Sequence, residues 1–416
     1  MSKRNHEMKH LDPNFHSWMR APETQAVLNA LGDARFVGGA VRNALLGQPV
    51  TEVDIATPLT PQEVTKRLEA AKLKAVPTGI EHGTVTAISN GKSFEVTTLR
   101  RDVATDGRRA VVAFTADWKE DAARRDFTMN ALYASADGEI FDYFNGVADL
   151  EAGKVRFVGD PTTRIREDYL RILRLFRFHA WYGKGDIDSD ALRAAAAEKA
   201  GLAQLSGERI AKEMLRLLEA ENPVFVLRLM ASAGVLVEIL PGNLRISRLE
   251  RLAQIDANNF FTPDPILRLA ALLPDAAAAS DIAGRFKLSN ADRARLEDIA
   301  GSKEKIVSYL SIKEVRKLLY RLGPKAFKDR AVLRWAEDPK ESNSIQWRAL
   351  LAVADAWDRP EFPLTGREVM AAGVPEGPLV GRILAEVEDW WIDSDFTEDE
   401  FSLAERLKAV VQATAY

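Results

Sequence analysis

VGGAVRNALLGQPVTEVDIAT, residues 37–57, decides the reading of the N-terminal part of the chain. An apolar run ends in two glycines, a short helical pattern follows, and Gly47 closes it. RFVGG (35–39) therefore reads as a strand ending at a turn, AVRNALLG (40–47) as a helix, and VDIA (53–56) as a second strand. A strand that turns through Gly38 and Gly39 into a helix aims backbone N–H groups at whatever lies above the turn. Arg42, one turn into the helix, adds positive charge to the same spot. Glu52 and Asp54 alternate with Val53, so on a strand both carboxylates take one face and Val53 the other. Like charges that close repel unless a cation lies between them. Hard oxygen ligands at this spacing suit Mg²⁺, which takes one or two carboxylates and completes its shell with phosphate and water. Taken alone, the stretch fits a solvated surface strand beside an ordinary Gly-Gly turn equally well.

The flanking sequence adds a third carboxylate. Thr60 before Pro61 is a cap and first position for a helix to about Ala71. GTVTAIS (83–89) and SFEVTTLR (93–100) read as a hairpin joined at Asn90-Gly91, a favoured two-residue turn. Glu95 lies on its second strand, with Phe94 and Val96 facing the opposite side. Two acids from one strand and one from its neighbour can hold two metals for in-line phosphoryl transfer. From about Gly146 the strand signals vanish and Ala-, Leu- and Arg-rich helical patterns run to the end. The expected fold is thus α+β, a small mixed sheet followed by an all-helical remainder.

With 416 residues the chain exceeds one compact core. The expected divisions are a head over 1–145, a helical neck over 146–225, and a helical body and tail over 226–416. No run approaches 18 uncharged apolar residues, which argues against a membrane span. The start, MSKRNHEMKHLDPNF, has no apolar signal region. The absence of cysteine removes disulfides and thiolate metal sites and points to the cytoplasm. A net charge of −4 does not exclude nucleic acid, because a local basic stripe is sufficient.

GGAVRN…EVDIAT, FEVTTLRRDVATDGRRA, RRDFTMNALY (124–133) and EDYLRILRLFRF (167–178) resemble, in order, the motifs of the class II tRNA nucleotidyltransferases. That family holds CCA-adding enzymes and bacterial poly(A) polymerases. LSGERIAKEML from Leu205 is similar to the family's next segment, and PLTGREVMAAGVPEGPLVGRIL (363–384) to a tail segment of its bacterial members. The chain departs from the pattern at Glu52, where the family generally has the first Asp of Asp-x-Asp, and at Asn43, where an Asp commonly follows the arginine. Glutamate is one methylene longer and still ligates Mg²⁺.

The resemblance implies a catalytic nucleotidyltransferase palm-like head (1–145), a helical neck that recognises the nucleotide base (146–225), and a helical body and tail that bind tRNA (226–416). It implies template-independent addition of CCA to the tRNA 3′ end from CTP and ATP, with pyrophosphate released. Glu52 and Asp54 would bind Mg²⁺ with Glu95 assisting, while Gly38, Gly39 and Arg42 would hold the triphosphate. Arg125, Asp126 and Asn130 match the family's ribose-recognising motif, and Asp126 and Thr128 read as a helix start. Asp168 and Arg171, three residues apart, would share one helix face. There a carboxylate accepts from the amine of C or A and a guanidinium donates to the ring. Arg174 and Arg177 follow by analogy as nucleotide contacts, although nine residues of ideal helix put Arg177 opposite Asp168. Apolar residues all round 170–178 predict a buried helix, whose arginines would need anions such as a bound triphosphate. RRDVATDGRRAVVAF (100–114) reads as a polar surface loop, and by resemblance one that helps the switch from C to A. Basic helices such as residues 312–330 could follow tRNA phosphates. Poly(A) addition and a non-catalytic RNA-binding role are the competing expectations. Oligomeric state is not legible.

Overall fold

Strand β1, Arg35–Val37, gives way at Gly38 to a helix over Gly39–Leu45. Gly38 has φ +66° and ψ −118°, a conformation reserved in practice for glycine, so the turn requires that residue. The computed structural model describes residues 10–79, 83–106 and 109–414. Strand β2 is Asp54–Thr57, which leaves Glu52 and Val53 in the loop before it. The expected alternation of Glu52 and Asp54 on one strand is therefore corrected: only Asp54 is a strand residue. Thr60 accepts from the Glu63 N–H at 3.3 Å and Pro61 opens the helix Pro61–Ala70, as the cap sequence predicts.

The remaining strands are β3 (Lys74–Gly79), β4 (Thr84–Ser89), β5 (Lys92–Thr98), β6 (Arg100–Asp106), β7 (Arg109–Phe114), β8 (Leu132–Ala134) and β9 (Ile140–Asp142). Asn90 and Gly91 turn β4 into β5 with φ of 49° and 80°, the left-handed pair that a tight hairpin needs. The main sheet runs β3-β4-β5-β2-β1-β8-β9. Its pairings are antiparallel except β2 with β5, which are parallel and set Asp54 beside Glu95. Phe36, Ile55, Val85, Val96 and Leu132 are fully buried and hold this sheet. Each such side chain contributes about 1.5–3 kcal/mol by leaving water.

Strands β6 and β7 form a separate antiparallel pair, with Arg100 opposite Phe114 and Asp106 opposite Arg109. The expected loop over 100–114 is corrected to a hairpin, because VVAF at 111–114 favours extended backbone over coil. Its tip, Gly107 and Arg108, lies outside the described residues.

Helices follow from Gly146. The buried helix lies over Leu170–Tyr182, with Ile172, Leu173, Leu175 and Phe176 out of contact with water. It does not begin at Glu167. A preceding helix, Pro161–Glu167, ends there, and Asp168 takes an extended conformation (φ −156°, ψ 107°) between the two. The chain divides into two compact units, Met1–Gly242 and Asn243–Tyr416. A boundary at 225 would cut the helix Val224–Ser232, which starts after Pro223. In the second unit the described elements are helices, and its C-terminal part packs around Tyr320, Val369, Val387, Trp391 and Leu403. Among the described residues no helix is long and apolar enough to cross a membrane.

Candidate active site

Two groups of side chains meet at the β1 turn and the neighbouring strand ends, and a third lies around the helix break at Asp168. The first is acidic. Asp54 and Glu95 are register neighbours on parallel strands, both exposed, while Phe94 and Val96 are buried behind them. Glu52 is exposed in the loop that leads into β2. Although Asp54 is exposed as a residue, the protein packed around its carboxyl, then the charges of Glu95 and Glu52, push its pKa up to about 6, with Arg125 pulling the other way. Ionised carboxylates held this close favour a divalent cation. Among the described residues no three ligating side chains form a ready-made metal cage.

The second group is built around Arg42, which is buried and, among the described residues, touches no carboxylate at hydrogen-bond distance. Its guanidinium donates to Asn130 Oδ1 (2.5 Å), to Asn43 Oδ1 (3.0 Å) and to the Tyr182 hydroxyl (2.9 Å). Burial lowers its pKa, yet an arginine stays charged. Asn43 Nδ2 in turn donates to the Pro49 carbonyl at 3.1 Å. A neutral asparagine thus steers the guanidinium, and the Asp126 carboxylate acts on it only through space. The Gly38 N–H donates to the Leu132 carbonyl at 3.1 Å, so it belongs to the sheet and not to an anion site. What requires glycine at position 38 is its positive φ; space is not limiting at either glycine. A Cβ on Gly38 would lie 3.6 Å from an Arg125 Nη, and one on Gly39 would lie 3.6 Å from an Arg42 Nη.

A chain of bonds continues from Arg42. Asn130 donates to Asp126 Oδ1 (3.0 Å), and Arg174 Nε donates to Asp126 Oδ2 (2.8 Å). Burial would raise the Asp126 pKa, but the Arg174 charge and the bonds from Asn130 and the Phe127 N–H outweigh it and hold it at about 2. Arg174 also faces Glu213 at 3.6 Å, and Arg177 Nε donates to that carboxylate at 2.5 Å. Arg174 and Arg177 are therefore joined through Glu213. The anions expected for these arginines are internal carboxylates. The motif around Asp126 opens a single 3₁₀ turn, Thr128–Asn130, rather than an α-helix. Arg125 is clamped by Asp121 (3.1 Å) and the Tyr133 hydroxyl (3.1 Å) beside the Gly38 turn.

The third group contains the expected base readers, and the structure does not set them side by side on one helix face. Asp168 occupies the helix break, where Oδ1 accepts from the Leu170 N–H (3.1 Å) and Oδ2 from Arg209 (2.7 Å). Arg171 lies in the next helix, paired with Glu167 and donating to the Arg164 carbonyl at 2.6 Å. Asp121, Glu167, Tyr182, Arg209 and Glu213 escape the sequence reading. Asp121 could have been found from its i+3 and i+4 spacing to Arg124 and Arg125. Glu167 has the same local spacing to Arg164 and Arg171, whereas Tyr182, Arg209 and Glu213 are brought to the site by long-range packing.

Residues 34–156 match the family described as the Poly A polymerase head domain, and residues 186–244 match "Probable RNA and SrmB- binding site of polymerase A". Over 384 residues the chain is 35% identical to CCA tRNA nucleotidyltransferase 1, mitochondrial, of Mus musculus, across 90% of this chain and 86% of the relative. It is 31% identical over 391 residues to the CCA-adding enzyme of Levilactobacillus brevis, across 92% and 94% of the two chains. The crystal structure of the Bacillus stearothermophilus CCA-adding enzyme in complex with CTP is similar with a TM-score of 0.75 at 26% identity, covering 95% of this chain and 99% of that one.

Proposed function

The chain belongs to the CCA tRNA nucleotidyltransferase family, and from that premise we propose that it completes tRNA 3′ ends with CCA, using CTP and ATP without a nucleic-acid template. The observation that carries this reading is the pairing of Asp54 with Glu95 on the one described parallel strand pair, beside the Gly38 turn. In the reaction the tRNA 3′-hydroxyl gives up its proton to water and its oxygen forms a bond to the α-phosphorus. The bond from that phosphorus to the bridging oxygen breaks, and pyrophosphate leaves with its electron pair. Glu52 and Asp54, with Glu95 assisting, are the residues that would hold Mg²⁺. Bound there, Mg²⁺ supplies a lowered hydroxyl pKa and charge neutralisation on the leaving pyrophosphate. Arg42, fixed by neutral partners, keeps its positive charge for the triphosphate. Arg125, Asp126 and Asn130 are assigned to the ribose and Arg174 and Arg177 to nucleotide contacts. Asp168 and Arg171 are assigned to the base edge, Asp168 after exchanging its Arg209 partner for a base amine. The cytoplasm, where tRNA is charged and used, is the proposed place of work.

Poly(A) addition is a second reading, favoured by the names of both matching families. Incubation with tRNA lacking its CCA end, Mg²⁺ and each nucleotide singly and together separates the two. Defined addition of two C residues and one A supports the proposal. Untemplated ATP tails on RNA without tRNA structure would overturn it.

A further inference from the structure

Asp168 and Tyr169 are the whole of the chain between the helices Pro161–Glu167 and Leu170–Tyr182. Asp168 is extended, while Tyr169 is already helical (φ −60°, ψ −18°), so the backbone changes direction between them. Its own hydrogen bonds are local. The Asp168 N–H donates to the Ile165 carbonyl (3.1 Å), and the Asp168 and Tyr169 carbonyls accept from the Arg171 (3.0 Å) and Ile172 (3.1 Å) N–H groups. These bonds close the last turn of one helix and open the next. They tie the break to no distant part of the chain, so its direction is left to side chains.

One of those is the Tyr169 ring, which lies against the bare backbone of Gly201 in the 3₁₀ turn Lys199–Gln204. A Cβ at position 201 would come closer than 3.0 Å to Cγ, Cδ1 and Cε1 of that ring, a separation that real Cβ atoms do not show. Gly201 has no positive φ, so the obstacle to a side chain is the ring and not the backbone conformation. The seat is firm. Gly201 is buried, Leu202 beside it is wholly buried, and the Leu205 N–H donates back to the Leu202 carbonyl at 3.1 Å.

The second side chain is Arg209, in the first turn of the helix Gly207–Leu218, which holds the Asp168 carboxylate at 2.7 Å. That ion pair is 42% and 33% exposed, and it must open when a base amine takes the carboxylate. The ring on Gly201 uses no group that a base needs, so it persists through the exchange. A shift on the order of 1 Å in Tyr169 would carry Asp168 with it, and hydrogen bonds weaken steeply when misaimed. We propose that Tyr169 and Gly201 form a ring-and-seat lock that aims the Asp168 carboxylate at the base, which makes both of them positioning residues for nucleotide choice. The proposal rests on the reading of Asp168 as a base reader. Gly201 acts only through the ring.

The test is single-turnover addition to tRNA lacking CCA by the full-length protein with Mg²⁺, with CTP and UTP in separate reactions. Their rate ratio does not depend on how much of a variant is folded. Gly201→Ala should cut the preference for CTP by about 10- to 100-fold, the range for losing one hydrogen bond to a charged group. Tyr169→Ala empties the seat without a clash and should do the same, which keeps the test intact if Gly201→Ala does not fold. Tyr169→Phe keeps the ring and should keep the preference. Gly201→Leu/Tyr169→Ala refills the space from the other side and should recover most of it. A merely structural role would lower the Tm of the single variants and leave the ratio parental, and that result would overturn the proposal. So would a lost preference in Tyr169→Phe, or a double variant no better than the singles. Asp168→Ala separates the two readings. Preference lost there but parental in Gly201→Ala and Tyr169→Ala removes only the lock, whereas preference retained there removes Asp168 from the base edge and the lock with it.

Discussion

At the scale of single residues the acidic group is the most exposed to test. Asp54 has its carboxyl pKa raised to about 6 by the protein packed around that carboxyl and by Glu95 and Glu52. The unfolded chain ionises that group near 3.8. Between these values the folded protein holds the proton more tightly, so stability falls as pH rises through the window and the penalty is complete above it. Asp54→Asn should therefore raise the Tm of metal-free protein at pH 7.5 and leave it unchanged at pH 3.5, while abolishing nucleotide addition. Mg²⁺ should raise the Tm of the parent and not of the variant; equal responses in calorimetry would remove Asp54 from the metal site. Arg171 carries a second prediction. A buried hydrogen bond to a charged group contributes about 1.5–3 kcal/mol, and about 1.4 kcal/mol is tenfold. Arg171→Ala should thus reduce discrimination against UTP and GTP by roughly one to two orders of magnitude in single-turnover kinetics with all four nucleotides. Selectivity retained at a lower rate would mean that Arg171 acts through Glu167 and the Arg164 carbonyl as a brace for the helix break.

At the scale of elements, local signals were legible wherever the chemistry is local. Asn90-Gly91 specifies its own turn and Thr60-Pro61 its own helix start, so both are found where the sequence puts them. The break at Asp168 was not, because hydrophobic periodicity runs through it: Ile165, Leu170 and Ile172 are buried on both sides. The available signal was the aspartate, which accepts from the N–H two residues on and ends one helix while starting the next. The arginines were recognisable and their partners were not. Arg174 meets Asp126 across 48 positions and Arg177 meets Glu213 across 36, separations that no local spacing rule reaches. The hairpin of β6 and β7 was hidden by its charged, glycine-bearing composition. Its pairing links Arg100 to Phe114 beside the Thr115–Leu99 backbone bond (2.9 Å), so its base is anchored to the head. Deleting Ala104–Arg109 should shorten the hairpin without unfolding the sheet. C addition should persist and addition of the terminal A should fall, read as product lengths on truncated tRNA. Unchanged product lengths would remove the hairpin from the C-to-A switch.

At the scale of the molecule, the two units differ in what ligands should do to them. The acidic group, Arg42 and the Asp126 network all lie within Met1–Gly242, whereas a cleft lined by Arg245, Arg248, Arg251 and Arg334 lies within Asn243–Tyr416. The α+β head was legible as a class because alternating strands stop at β9 and helical patterns follow. The second unit read only as helical, since amphipathic faces specify burial but not which carboxylate each basic residue meets. A ligand that binds only the native state stabilises what it touches by about 2.7 kcal/mol at 100 times its dissociation constant. CTP with Mg²⁺ should accordingly slow hydrogen exchange around β1, β2, β5 and the helix Leu170–Tyr182, and leave the helices Ile246–Asn259 and Pro324–Glu337 near their free rates. RNA alone should do the reverse at those two helices, because they carry Arg245 to Arg251 at one start and Arg334 and Glu337 at the other's end. Exchange that slowed equally in both units with CTP alone would mean that the nucleotide site and the arginine cleft open and close as one cooperative body, and the division of labour drawn from the two compact units would not hold.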